Sequence, residues 1–129
     1  MSEAGKPPVP PATAATPPPA PVLLSVEEFR KIDLRIGVIT AAADHPNADR
    51  LLVLTVDIGE AAPRQLVAGI KGSYQAAEMI GKRVVVVANL KSAMLRGVES
   101  QGMVLAASDE SGLSVLAPER PHKAGSPVK

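Results

Sequence analysis

The chain has 129 residues, 46% of them hydrophobic, with 14 Lys and Arg against 13 Asp and Glu for a formal charge of +1. That length supports one domain with a real core and is too short for two. The near-zero charge argues against a binder driven by bulk electrostatics, the lack of Cys excludes disulfides and thiolate metal sites, and no apolar run nears the roughly 20 residues of a bilayer span.

Residues 1 to about 22 are Pro, Ala, Thr, Ser, Gly and Val almost throughout, with prolines at 7, 8, 10, 11, 17, 18, 19 and 21. Such a stretch removes backbone donors and buries little, so the expectation is a disordered tether over 1–22, with an SH3-type ligand as the alternative. It lacks the basic start and apolar stretch of a leader peptide, and the Cys-free composition suits a cytoplasmic location. The folded domain is expected over 23–129. Ser25-Val26-Glu27-Glu28 is a capping box that starts a short helix through Lys31, with Val26, Phe29 and Ile32 as its expected buried side. Leu34 to Ile39 alternates with period two and predicts a strand, closed by the turn formers His45-Pro46-Asn47-Ala48-Asp49. Arg50 to Ile58 and Arg64 to Ile70 predict the next two strands, joined at Gly59-Glu60. Gln75 to Ile80 predicts a helix ending at Gly81. Val84 to Ala88 and Met103 to Ala107 predict the fourth and fifth strands, followed by a turn at 109–112 and a short Leu113 to Leu116 segment. Three strands, a crossover helix and two more strands is the order of an all-β, five-stranded OB-fold barrel.

Little in this order supports catalysis. His45 and His122 are the only histidines, and the chain has no Gly-rich phosphate loop, nucleophile elbow or paired-carboxylate motif. His45 with Asp44 and Asp49 is the nearest approach to a metal cluster, and Asp and Asn in a turn usually cap backbone amides. The expectation is therefore a non-catalytic module with no cofactor and no metal. The informative stretch is Asn89 to Met103, rich in hydrogen-bonding side chains between two apolar strands. Lys91 and Arg96 are suited to neutralise phosphates, and Ser100 and Gln101 to reach sugar or base edges. Read from composition alone, the same stretch is equally a solvated strand connection.

Phe29 to Gly37 and His45-Pro46-Asn47-Ala48-Asp49-Arg50-Leu51 resemble the start of the tRNA-binding domain family. The likeness continues in order through Arg64 to Ile70, Val87 to Lys91 and Leu95 to Met103. That family includes the C-terminal extension or β subunit of methionyl-tRNA synthetase and free-standing tRNA-binding proteins. The endothelial-monocyte-activating polypeptide and the chaperone-like CsaA proteins are related to it. Ala68 to Tyr74 and the Pro/Ala-rich tail look like the synthetase-attached branch; the chain starts at Met1 and carries no synthetase catalytic motif. The resemblance implies an OB barrel, usually a homodimer, that binds tRNA by shape and largely independently of sequence. It implies tRNA and, in one branch, methionyl-tRNA synthetase as partners, with export-chaperone binding of unfolded polypeptides as the alternative. Carried over by position, Asn47, Lys91, Arg96, Ser100 and Met103 are the expected contact residues. Lys31 and Arg35 are secondary ones, since Lys31 is also placed to cap its helix and Arg35 to be solvated.

Two further expectations concern recognition and assembly. With one Phe and one Tyr, and Phe29 assigned to the core, only Tyr74 remains for base stacking. Reading of a single strand is thus disfavoured against recognition of a folded RNA backbone. The apolar Leu113-Ser114-Val115-Leu116-Ala117-Pro118 segment is expected to pair across a dimer axis, the alternative being that it packs on its own barrel.

Overall fold

A computed structural model describes residues 22–129 of the chain. The tether expected over 1–22 lies, except for Val22, outside the described residues. The elements are α1 (Val26–Phe29), β1 (Leu34–Asp44), β2 (Leu52–Asp57), β3 (Arg64–Ala68), α2 (Ala76–Met79), β4 (Arg83–Val87), β5 (Ala93–Leu95), β6 (Val98–Ser100), β7 (Met103–Val104), β8 (Ala106–Asp109), β9 (Gly112–Val115) and β10 (Pro127–Val128). The sheet order is β3-β2-β1-β4-β7, with every pair antiparallel. This is the five-stranded, nearly closed barrel expected from the sequence.

β1 makes the barrel possible because two partners share its length. Leu34 to Val38 pair with β4, whereas Val38 to Asp44 pair with β2 across an irregularity between Ile39 and Ala41. The strand therefore runs five residues beyond the expected end at Ile39, since the small Ala41, Ala42 and Ala43 continue the ladder to Thr55, Leu54 and Val53 without alternating in hydrophobicity. The bulge lets one strand bend between two sides of a barrel. Gly37 sits at the tightest point. A Cβ there would lie 2.5 Å from Val56 Cγ1 and 3.0 Å from Val86 Cγ2, so only hydrogen fits.

Leu52, Leu54, Val56 and Ile58 point inward along β2 and are fully buried with Ile39, Leu66, Met79, Val84 and Val86. Aliphatic side chains alone fill this interior, as the composition requires. Tyr74 packs at its edge, and its hydroxyl accepts a hydrogen bond from the Val115 amide at 3.1 Å. The ring is thus committed to the fold and is not available for stacking, contrary to expectation.

Several other expectations are corrected. The capping box forms as read, Glu28 N donating to Ser25 Oγ and Ser25 N to Glu28 Oε1. Yet α1 spans only Val26–Phe29, and Val26, Phe29 and Ile32 are 59%, 41% and 42% exposed instead of buried. One helical turn at the edge of a closed barrel has no interior to face. α2 likewise ends at Met79, because Ile80 is extended, and Gly81 makes the turn at φ +91°. The fifth strand is divided into β7 and β8, although Leu105 N still donates to Val85 O. β8 and β9 form a hairpin laid on the same barrel: Val85 N donates to Leu116 O, and Leu116 N to Leu105 O. The segment assigned to a dimer axis is therefore engaged by its own chain. Its backbone groups were invisible to a reading based on hydrophobicity alone.

Candidate nucleic-acid interface

Two connections meet at one end of the barrel. The β1–β2 loop carries His45 to Leu51, and the long β4–β7 connection carries Asn89 to Gly102, including the β5–β6 hairpin. The hairpin turns at Arg96-Gly97, with φ of +54° and +90°. Successive positive φ values match the two-residue turn whose twist suits a hairpin, a turn that favours Asn-Gly. Arginine in that first place is uncommon and costs about 1 kcal/mol of backbone strain. The strain holds a guanidinium at an exposed tip, and strain of this kind concentrates at functional sites.

The tip lies over the β1–β2 loop. Arg96 Nη2 is 3.4 Å from Asn47 O, and a Cβ on Gly97 would be 4.0 Å from Asn47 Nδ2. Beneath them, the buried His45 ring accepts from Asn47 N through Nδ1 and donates to Leu95 O through Nε2, both at 2.9 Å. Asn47 and Arg96, 49 positions apart, are thus brought together. Lys91 is exposed in the same connection, and none of the ion pairs among the described residues engages Lys91 or Arg96.

Lys31 and Met103 sit elsewhere, lining a groove of about 490 Å³ with Ile32, Leu34, Asn89 and Leu90. Asn89 builds this corner by accepting from Asp33 N at 2.9 Å and donating to Lys31 O. The groove is mainly apolar and continues onto the exposed side of α1. Arg35 is already paired: its Nε and Nη2 lie 3.1 and 3.0 Å from the Asp33 carboxylate. That hydrogen bond and charge hold the guanidinium pKa above its ordinary value.

Ser100 is only 3% exposed. Its hydroxyl accepts from Val67 N and donates to Gly102 O, each at 3.0 Å, so it closes the barrel between β3 and β7 and is buried, not exposed as a contact residue would be. Gln101 acts with it, its backbone N donating to Gln65 O and its side chain accepting from Gln65 N. Arg64 completes the seam, reaching the carbonyls of Ala88 and Gln101 while pairing with Glu60. The hydrogen bond from Arg64 holds the Glu60 carboxyl below the usual carboxylate range. Ser100→Ala should lower stability by about 1–3 kcal/mol, because Val67 N–H is left buried and unpaired. Denaturant titration checks this, and tRNA affinity at temperatures where the variant is folded should match the parent.

What the sequence reading missed is the β5–β6 hairpin. Its signal was available: apolar Met94-Leu95 and Val98 flank a two-residue turn ending in Gly. Arg in the first turn position concealed it. Among the described residues no group of three His, Cys, Asp or Glu is placed to hold a metal ion.

A rigid OB-type barrel presenting cations and amides from its first and last long connections has the architecture of a nucleic-acid-binding module. The family model described as "Putative tRNA binding domain" matches residues 34–127, and the chain belongs to this tRNA-binding domain family. It is 50% identical over 106 residues to the methionine–tRNA ligase of Thermococcus kodakarensis, and 52% identical over 106 residues to that of Pyrococcus furiosus. Both matches cover 82% of this chain but only 14% of the ligase. A methionyl-tRNA-synthetase-related protein from Pyrococcus horikoshii superposes with a TM-score of 0.77 at 32% identity, over 84% of this chain and 99% of that one. The chaperone CsaA from Bacillus anthracis superposes at 0.75 and 28% identity, over 84% of this chain and 100% of that one.

Proposed function

We propose that the chain binds folded tRNA without catalysing a reaction on it, through a surface centred on Asn47, Lys91 and Arg96. The observation that carries this reading is the convergence of Asn47 and Arg96 at one exposed end of the barrel, with Arg96 held at positive φ. Cations on a rigid frame suit recognition of a folded backbone by phosphate and 2′-hydroxyl contacts. No stacking track accompanies them: Tyr74 is tied to Val115, and Phe29 lies on the apolar α1 side. A site of about three phosphate contacts gives a log–log salt slope of roughly −2 to −3. Titrating the protein with a folded tRNA and with an unstructured RNA of equal length tests the reading. Preference for the folded molecule supports it, and equal affinity contradicts it.

The module works in the cytoplasm as an appendage or accessory subunit of a methionyl-tRNA synthetase, with residues 1–22 as the tether and 23–129 as the binding domain. The identity to part of two methionine–tRNA ligases supports this placement. Tethering would raise the effective concentration of a modest binder at the enzyme. Lys31 and Met103, in the separate Asn89 groove, form a secondary contact region.

The chain functions as a homodimer through the α1 side, where Val26, Phe29 and Ile32 are exposed large apolar residues around the α1 groove. Contiguous apolar surface of this kind marks an interface. Phe29→Glu should convert a dimer to a monomer in sedimentation equilibrium while leaving the circular-dichroism spectrum of the folded barrel unchanged; a monomeric parent protein would contradict the dimer. The likeness to CsaA and the same apolar side support a second reading, capture of unfolded polypeptide. Retention of a reduced, unfolded protein by the chain, abolished by Phe29→Glu and not competed by tRNA, would favour it.

A further inference from the structure

Histidine 45 is one of two buried polar residues among the described residues, at 5% exposure, and neither the barrel nor the RNA-facing surface uses it as a contact. It follows directly on the last residue of β1, where its backbone N donates to Leu51 O and closes the loop. A turn starting at this place needs only an acceptor two residues upstream of Asn47 N–H, which Asn or Asp supplies with a shorter side chain. The imidazole supplies that acceptor at Nδ1 and has a second nitrogen to spare. The Asn47 amide can only donate and the Leu95 carbonyl can only accept, so the Nε2–H tautomer alone satisfies both. The spare nitrogen crosses 50 positions of sequence to grip the β5–β6 hairpin.

The hairpin needs that grip. Its base is fastened by Ser100 and by the Gln65 Nε2 bond to Glu99 O. β5 is exposed along its whole length, so no buried side chain anchors the half leading to the tip. The remaining contact there, Arg96 Nη2 to Asn47 O, is long at 3.4 Å.

We propose that His45 is a positioning residue for the RNA surface: it clamps the β5–β6 hairpin to the β1–β2 loop and so fixes Arg96 relative to Asn47. The proposal rests on the reading that this surface binds tRNA, and goes beyond it by assigning the group that sets the spacing. Two variants separate the ring's two bonds. His45→Asn keeps the near acceptor for Asn47 N–H and loses the far donor, whereas His45→Gln reaches Leu95 O and loses the near acceptor.

The test measures tRNA affinity by titration, and nanosecond mobility of the Arg96 and Gly97 amides by nitrogen relaxation in the full free chain. His45→Asn should weaken binding about five- to tenfold, as loss of one hydrogen bond permits, and loosen both amides. His45→Gln should restore affinity to within about twofold of the parent by remaking the same bond. On an Arg96→Ala background His45→Asn should add nothing, because the histidine acts through the hairpin. If Arg96→Ala weakens binding while His45→Asn changes neither affinity nor mobility, or adds its full effect to Arg96→Ala, the positioning role is overturned and the surface stands. If Arg96→Ala leaves affinity unchanged, the surface itself is misplaced and the proposal falls with it.

Discussion

Replacing Lys91 and Arg96 together by Ala should weaken binding of folded tRNA by about 30-fold at low salt, equivalent to about 2 kcal/mol. Two cations in one exposed connection carry this expectation, and neither joins an ion pair among the described residues. Their loss should also flatten the log–log salt dependence by about 1.5, at roughly 0.7–0.9 for each phosphate contact removed. The barrel should be unaffected, since neither side chain belongs to the buried core. Arg96→Asn sharpens the comparison. Asparagine is favoured in the first place of this turn, so the single variant should be as stable as the parent or up to about 1 kcal/mol more stable. Its tRNA affinity should nevertheless fall. Gel-shift titration with parallel thermal melts reads both quantities, and unchanged affinity in the double variant would remove these residues from the surface.

The largest expected effect on stability lies at Gly37. A methyl group there meets Val56 and Val86, both fully buried, with Ile58 Cγ2 at 3.2 Å. Three branched side chains in a closed interior have little room to retreat, so Gly37→Ala should cost about 3 kcal/mol, at the upper end for an overpacked core. For a domain of this size that lowers the melting temperature by roughly 12–24 °C. Gly72→Ala is the control, because a Cβ at Gly72 meets nothing within 4 Å. That change should stay within about 0.5 kcal/mol. A Gly37→Ala protein melting with the parent would mean that Val56 and Val86 do not close on β1 at this point.

The barrel was legible because its strands alternate or run apolar between strong turn signals, and those patterns depend on local sequence. β2 shows this well: Leu52, Leu54, Val56 and Ile58 all point inward. Patterns failed where the deciding partner is distant. Nothing near Phe29 says that the barrel closes without it, and nothing near Leu116 says that Val85 takes its carbonyl. The site shows the same division. Lys91 and Arg96 were identifiable as exposed cations within a polar connection, and Asn47 through family resemblance. Ser100, a hydroxyl in the same polar connection, has the chemistry of a contact, yet its two hydrogen bonds span β3 and the residue after next. Asp33 and Arg35 are two positions apart and so share a face of extended chain, a pairing that the expectation of a solvated Arg35 left out.

The central claim is that folded tRNA meets the chain at the β1–β2 loop and the β5–β6 hairpin. The decisive experiment titrates the isotope-labelled 129-residue chain with a folded tRNA and follows every backbone amide. Shifts should concentrate at Asn47, Lys91, Arg96 and Gly97, weaken as salt rises, and leave the β8–β9 hairpin untouched. Shifts confined to α1 and the Phe29 side, or an identical pattern with unstructured RNA, would contradict it.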